Sequence, residues 1–219
     1  MRYYEVVARE VYRRVVGEGK TQWSEVFGAG TGFGEFPNRG FLEGVLPELV
    51  VGGAVLEYGC GTGPAACFLA GRGFRVEAVD VVPEAIELAR RFAAALGVRV
   101  EFGVEDVCRW EVGVEARYDV VVDSYCLQNI VLDEDRAVLF RGVHNRLKTD
   151  GRYLISTALY DEARMYGEEF RYDAVSGICY RGELPYRRHL RPSALRAELT
   201  TAGFEVVSFS GENVVCLRA

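Results

Sequence analysis

Ala54-Val55-Leu56-Glu57-Tyr58-Gly59-Cys60-Gly61-Thr62-Gly63-Pro64, with Ala65 to Ala70 and Arg75 to Asp80 behind it, is the stretch from which the rest of the chain can be read. An apolar strand runs into a glycine-rich turn, a short helix is broken by Gly71-Arg72-Gly73, and a second strand ends on Asp80. Alternating glycines let the backbone turn sharply and approach a ligand with no Cβ in the way. Pro64 suits the first helical position, where its missing N–H would have had no intrahelical partner. The N–H groups of that helix start favour a carboxylate or another anion. Asp80 lies 21 residues after Gly59, which places a carboxylate to accept hydrogen bonds from a ribose diol. A nucleoside-containing cofactor is the expectation.

The glycine spacing separates cofactor classes. A dinucleotide fingerprint places glycine at its first, third and sixth positions, whereas here the fifth is Gly63 and the sixth is Pro64. The chain also lacks a Tyr-x-x-x-Lys pair, so an NAD-dependent oxidoreductase is disfavoured. Glu57 to Gly63 followed by Asp80 resembles instead the first two motifs of the class I S-adenosylmethionine (SAM)-dependent methyltransferases, and the resemblance runs from about Val55 onward.

That resemblance implies a set of roles. Glu57, Gly59, Cys60, Gly61 and Gly63 would lie against the methionine part of SAM, and Asp80 would hold its ribose. Asp106 would bind the adenine amine, with Val81 and Val107 flanking the purine. For Asp106 a turn cap is the structural alternative. Asp123 and Tyr125, in Asp123-Ser124-Tyr125-Cys126-Leu127, fall where family members approach the cofactor and its reactive methyl. Many small-molecule methyltransferases carry a Leu-His-His-Ile-like run next, but this chain has Leu127-Gln128-Asn129-Ile130, so any histidine base of that pattern is absent. The Asp/Asn-Pro-Pro-aromatic motif of nucleic-acid amino-methyltransferases is missing too, which argues against a DNA or RNA acceptor.

Working outward, Tyr4, Val7, Val11 and Val15 draw one apolar stripe along a helix over residues 3–16. Residues 21–34 mix Trp23, Phe27 and Phe33 with glycines and read as an irregular cap, and a short helix over residues 41–49 leads into the first strand. Pro83-Glu84 opens a helix that Gly97 ends, with Ile86, Ala89, Ala93 and Leu96 as its buried stripe. A third strand over residues 98–104 delivers Glu105-Asp106-Val107. The apolar run 117–123 reads as a central strand covered on both faces. A helix over 133–147, a strand over 152–158, a helix over 192–202 and strands over 204–209 and 213–218 follow. The alternation predicts an α/β, doubly wound, Rossmann-like sheet of seven strands, mostly parallel with one antiparallel strand.

Two segments interrupt that pattern. The expected organisation is a helical N-terminal cap or lid over residues 1–50 and a SAM-binding domain over 51–219, with 159–190 as an acceptor-site insertion. Tyr12, Trp23, Phe27, Tyr125, Tyr160 and Tyr180 are candidates to wall an acceptor site or face a sulfonium. Arg164, Arg188 and Arg191 are candidates to hold an acidic acceptor. His144 lies inside a helix and reads as structural. His189 has two readings, a base facing the acceptor pocket or an imidazole capping the last helix.

Composition bounds the rest. The 219 residues, 49% of them hydrophobic, suffice for one sizeable α/β core. A formal charge of −6 offers no general attraction to a phosphate backbone. The six cysteines include no Cys-x-x-Cys pair, so reduced thiols, no metal site and a cytoplasmic location are expected. The most apolar run contains Asp123 and is too short to span a bilayer. The expected function is methyl transfer from SAM to O, N or S of a small molecule, by a monomer or homodimer. A protein or peptide methyltransferase and a SAM-binding regulatory module without turnover are the alternatives.

Overall fold

The computed structural model describes residues 2–28, 32–111, 115–162 and 166–219. Its centre is a seven-stranded sheet built from β1 (Ala54–Tyr58), β2 (Arg75–Asp80), β3 (Val100–Val104), β4 (Tyr118–Ser124), β5 (Leu147–Ser156), β9 (Phe204–Ser210) and β10 (Asn213–Arg218). The spatial order is β3-β2-β1-β4-β5-β10-β9. All neighbours up to β5 pair in parallel, and β10 runs antiparallel to both β5 and β9. It is the single reversed strand that the hairpin-like end of the sequence suggested.

Neighbouring residues on the central strands enter opposite layers, because a strand alternates its side chains between its two faces. Leu56 and Val121 join Tyr153, Leu139, Phe140, Leu195 and Leu199 on one face, under α6 (Asp133–Arg146) and α7 (Pro192–Thr201). Val55, Val120 and Val122 join Leu42, Ala65, Leu69 and Ile86 on the other, under α3 (Arg39–Val45), α4 (Pro64–Gly71) and α5 (Pro83–Leu96). Both faces are therefore apolar, which is why β4 reads as a continuous hydrophobic run.

Two details differ from expectation. Leu96 is 57% exposed while Ala85 is buried, so the buried stripe of α5 starts one residue earlier and stops at Ala93, leaving the end of the helix in solvent. β5 begins at Leu147, five residues before the expected start: Tyr118 pairs with Leu147 and Val120 with Arg152. The intervening Lys148 to Gly151 bulge out of register, so the turn residues Thr149-Asp150-Gly151 are absorbed within the strand.

α1 (Tyr3–Gly17) buries Tyr4, Val7, Val11, Tyr12 and Val15. Val11, Tyr12 and Val15 pack on Val82 and Ala85 at the start of α5 and on Val26 of the short helix α2 (Trp23–Val26). The Tyr3 hydroxyl accepts from the N–H groups of Val131 (2.9 Å) and Leu132 (3.3 Å), and Arg2 pairs with buried Asp135. Within residues 159–190, β6 (Phe170–Asp173), β7 (Ile178–Arg181) and β8 (Leu184–Arg188) form a separate antiparallel sheet. β8 packs against α1 and the 127–129 turn. Arg181 reaches Glu10 of α1 at 2.7 Å, tying the small sheet to the first helix. No helix among the described residues is long and apolar enough to cross a membrane.

Candidate active site

The parallel strands end at one edge, and the segments that follow them meet there: Gly59 to Pro64 after β1, Asp80 and Val81 at the end of β2, Glu105 to Cys108 after β3, and Ser124 to Ile130 at and beyond the end of β4. Because β10 is reversed, Asn213 pairs with Ser156 at the far end of β5, and the preceding Glu212 arrives at the same edge. These segments line a cleft of about 420 Å³. Its other wall is Tyr4, Val7 and Tyr12 of α1, Trp23 and Phe27, and Tyr186 and Arg187 of β8. Such a carboxyl-edge crevice is where open α/β sheets bind their ligands.

The glycine turn is shaped by what packs on it. Gly59, Gly61 and Gly63 all have positive φ, at 61°, 57° and 79°. A Cβ on Gly59 would strike the Cys126 side chain, and one on Gly61 would strike the Tyr12 hydroxyl. On Gly63 it would come within 2.9 Å of the Phe102 ring. The glycines were expected to clear space for a ligand; their hydrogens face protein atoms, and the close approach is to Cys126 and Tyr12. Gly63 lies behind the cleft lining, at the start of α4, where Pro64 occupies the first turn as expected.

Three buried carboxylates underlie the edge. Asp80 accepts from the N–H groups of Gly61 and Val82, each at 2.9 Å. Asp123 accepts from Cys126 (2.9 Å) and Leu127 (3.0 Å) while its Oδ2 has no partner. Glu57 is buried with Oε2 unpartnered. Burial, against the backbone bonds of Val82 and Gly61, pushes the Asp80 carboxyl up to about 6. Burial likewise raises Asp123 to about 7 and, with the like charges of Asp123 and Asp80 adding to it, Glu57 to about 8. Glu57 and Asp80 line the cleft; Asp123 does not, and instead holds the backbone turn that presents Tyr125 and Cys126.

Asp106 lines the cleft and is heavily bonded. Its two oxygens accept from the Tyr4 hydroxyl at 2.9 Å each, Oδ1 accepts from the Cys108 N–H at 3.0 Å, and Arg109 pairs with it at 3.2 Å. The turn cap considered for it is therefore present. Val81 and Val107 also line the cleft, and Cys60 is buried there, its thiol pushed up by desolvation.

Tyr125 has φ of 62°, the one positive value at a non-glycine among the described residues. Its N–H bonds the Ser156 carbonyl at 2.7 Å and its hydroxyl donates to Glu212 at 3.0 Å. Burial and the Glu212 charge push the phenol up, so it stays protonated. Buried Arg136 braces the next turn, forking onto Glu198 at 2.6 Å twice and donating to the carbonyls of Leu127 (3.0 Å) and Ile130 (2.9 Å). Gln128 and Asn129 stand in the cleft where histidines were looked for. Gln128 accepts from the Ala158 N–H at 2.6 Å, and Asn129 donates to the Tyr125 carbonyl at 3.1 Å.

His189 is placed elsewhere. It is buried behind β8, its Nδ1 2.9 Å from the Tyr166 hydroxyl and its backbone carbonyl accepting from Tyr172 at 3.0 Å, and it does not line the cleft. Tyr12, Trp23, Phe27 and Tyr125 do line it; Tyr160 and Tyr180 do not, Tyr160 being stacked on Tyr172. Arg188 pairs with Asp133 and Arg191 with Glu162. Arg164 lies outside the described residues. Sequence reasoning passed over Tyr4, Asn38, Arg187 and Glu212. Tyr4 belonged to the apolar stripe of α1, and its polar tip was the available signal. Asn38 donates to the Ser124 hydroxyl at 3.1 Å from within a turn, and nothing local marks it.

Comparison with known proteins agrees with this geometry. The methyltransferase domain family matches residues 36–209. A ubiquinone biosynthesis O-methyltransferase of Xanthomonas euvesicatoria is 28% identical over 171 residues, spanning 78% of this chain and 70% of that protein. The structure of a Burkholderia thailandensis 1,6-didemethyltoxoflavin-N1-methyltransferase, solved with that substrate and S-adenosylhomocysteine, is 26% identical with a TM-score of 0.60, covering 82% of this chain and 76% of that one. A TehB-like SAM-dependent methyltransferase of Corynebacterium glutamicum shares the fold at 15% identity and a TM-score of 0.62, over 98% of this chain and 100% of that one. The chain belongs to the methyltransferase domain family: it is a class I SAM-dependent methyltransferase, and SAM is its cofactor.

Proposed function

We propose that this methyltransferase acts on a small molecule, at O, N or S, held between the carboxyl edge of the sheet and a cover made by residues 1–50 and 159–190. The observation that carries this reading is the cleft itself. At about 420 Å³ it lies within the size range of small-ligand sites, roughly 300–1,000 Å³, and α1, Trp23, Phe27 and β8 close the side a polymer would need open. The O-methyltransferase and the N1-methyltransferase similar to this chain support a small acceptor and differ over the atom methylated.

The residues present fit the cofactor. Positive-φ glycines at 59 and 61 carry the turn, and buried Asp80 and half-buried Asp106 line the cleft together with Val81 and Val107. Asp80 is assigned the ribose, Asp106 with the two valines the adenine, and Glu57 with the Gly59–Gly63 turn the amino-acid end. The unpartnered Glu57 Oε2 is a buried acceptor awaiting a donor. When bound, SAM supplies a methyl group already activated by its sulfonium. The chain then has to align the acceptor and exclude water, and in well-oriented systems such positioning supplies up to roughly 7–11 kcal/mol.

Tyr125 is assigned the orienting role at the acceptor. Its hydroxyl donates to Glu212, which leaves the phenol oxygen free to accept from an acceptor O–H or N–H. An acceptor that must lose a proton passes it to the Tyr125 oxygen while Tyr125 passes its own to the Glu212 carboxylate. His189 receives no catalytic assignment, since its ring lies outside the cleft. Titration calorimetry with SAM, followed by methyl transfer to hydroxyl, amine and thiol acceptors, tests the reading. Saturable heat and transfer to a small acceptor are expected. Transfer to a peptide only would overturn the small-molecule assignment.

A further inference from the structure

Arg187 is the one cationic side chain in the cleft lining among the described residues, and the same lining carries Glu57, Asp80, Glu105, Asp106 and Glu212. Ordinary expectation would pair it with one of these acids. Four of the acids are engaged elsewhere: Glu105 accepts from Trp110 Nε1 at 2.6 Å, Asp106 from Tyr4, Asp80 from the backbone of Gly61 and Val82, and Glu212 from Tyr125, while burial raises the fifth, Glu57, to about 8 and so favours its neutral form. The Arg187 Nε is buried with no hydrogen-bond partner. Its guanidinium instead lies over two rings, 5.6 Å from the centre of Phe27 and 5.0 Å from that of Tyr186. Rings cover its faces but cannot accept the in-plane N–H groups, whose fork geometry matches a carboxylate. A buried donor left this way carries a desolvation cost that an incoming oxygen removes.

We propose that Arg187 selects an acceptor bearing a carboxylate on an aromatic ring, the carboxylate meeting the guanidinium edge and the ring lying among Phe27, Tyr186 and Trp23. This deepens the methyl-transfer reading of the same cleft and rests on it. A singly charged group is favoured over a phosphate monoester, which carries about −1.5 to −2 charges and would be repelled more strongly by the ionised acids of the lining. The assignment differs from the arginines that sequence singled out, because Arg188 and Arg191 are already paired with acids.

The test titrates the complex of the full chain with S-adenosylhomocysteine using para-hydroxybenzoate, para-aminobenzoate and para-mercaptobenzoate, each beside its uncharged amide. At least one acid should bind about 10-fold or more tighter than its amide. Arg187→Gln should erase that preference while the affinity for S-adenosylhomocysteine stays unchanged. Arg187→Lys should restore only part of it, since an ammonium lacks the fork. Acids and amides that bind alike, or not at all, in a complex that does hold S-adenosylhomocysteine would overturn the proposal and leave methyl transfer standing. So would a preference that survives Arg187→Gln. Failure of the wild-type chain to bind S-adenosylhomocysteine would remove both readings.

Discussion

The hydroxyl of Tyr12 rests against the Cα of Gly61, in the space a Cβ would take. A helix near the start of the chain thereby touches the turn that defines the cofactor side of the cleft. Gly61→Ala meets both a positive φ of 57° and this contact, and should lower SAM affinity by at least about 10-fold, with a stability loss of about 1–3 kcal/mol. Tyr12→Phe removes the colliding oxygen, so the double variant should recover part of the affinity. Calorimetry on the four proteins of the cycle measures the coupling, and strictly additive losses would show that the contact carries none of it.

Asp80→Asn should separate ligand binding from folding. An amide oxygen can still accept from one of the two N–H groups that Asp80 now serves, so the melting temperature should shift modestly. The charge offered to a ribose diol is gone, and SAM affinity should fall about 10-fold or more. Unchanged affinity would take the ribose assignment away from Asp80.

Stability should decline as pH rises through the neutral range. Asp80, Asp123 and Glu57 are raised from ordinary values of 3.8, 3.8 and 4.5 to about 6, 7 and 8. The folded chain therefore holds protons that the unfolded chain releases. Their stabilising contribution is full below about pH 4, shrinks as pH climbs through the folded-state values, and is spent above about 8. The limiting slope is about 1.4 kcal/mol per pH unit for each group still protonated only in the folded state. Glu57→Gln should flatten the part of the decline that extends to pH 8. Melting curves from pH 5 to 9 that are level or rising, or identical in wild type and variant, would contradict this.

Arg136→Ala should be the costliest single change of this set, at about 3–5 kcal/mol, because it strands Glu198 and frees the carbonyls of Leu127 and Ile130. Urea unfolding reads the loss. Methyl transfer should fall as well, since the 125–130 turn presents Tyr125 to the cleft. A loss under about 1 kcal/mol would mean that this turn is held by other contacts.

What the sequence made legible was local. Ala54 to Asp80 fixes strand, turn, helix and strand through residues close in the chain, and the opposite destinations of Val55 and Leu56 follow from strand geometry alone. Leu96 misled because periodicity marks a face without saying how far the neighbouring layer extends. β5 began early because its bulge is set by pairing with β4, which turn-forming residues do not reveal. The far wall of the cleft was least legible. Tyr4 meets Asp106, Tyr125 meets Glu212 and Asn38 meets Ser124 across wide gaps in the chain, and each polar tip found its partner only once the layers had packed. His189 showed the converse: an imidazole among arginines suggested chemistry, and the fold spent it on Tyr166.

β10 lies inside the sheet although β9 precedes it in the chain. Among the described residues β9 pairs only with this later strand, so it is an uncovered edge until β10 has folded back between it and β5. Residues 213–218 then zip β9 to β5 in the same step that brings Glu212 beside Tyr125. A chain cut just short of residue 213 would thus leave β5 and β9 as two bare edges and Glu212 without the strand that carries it to Tyr125.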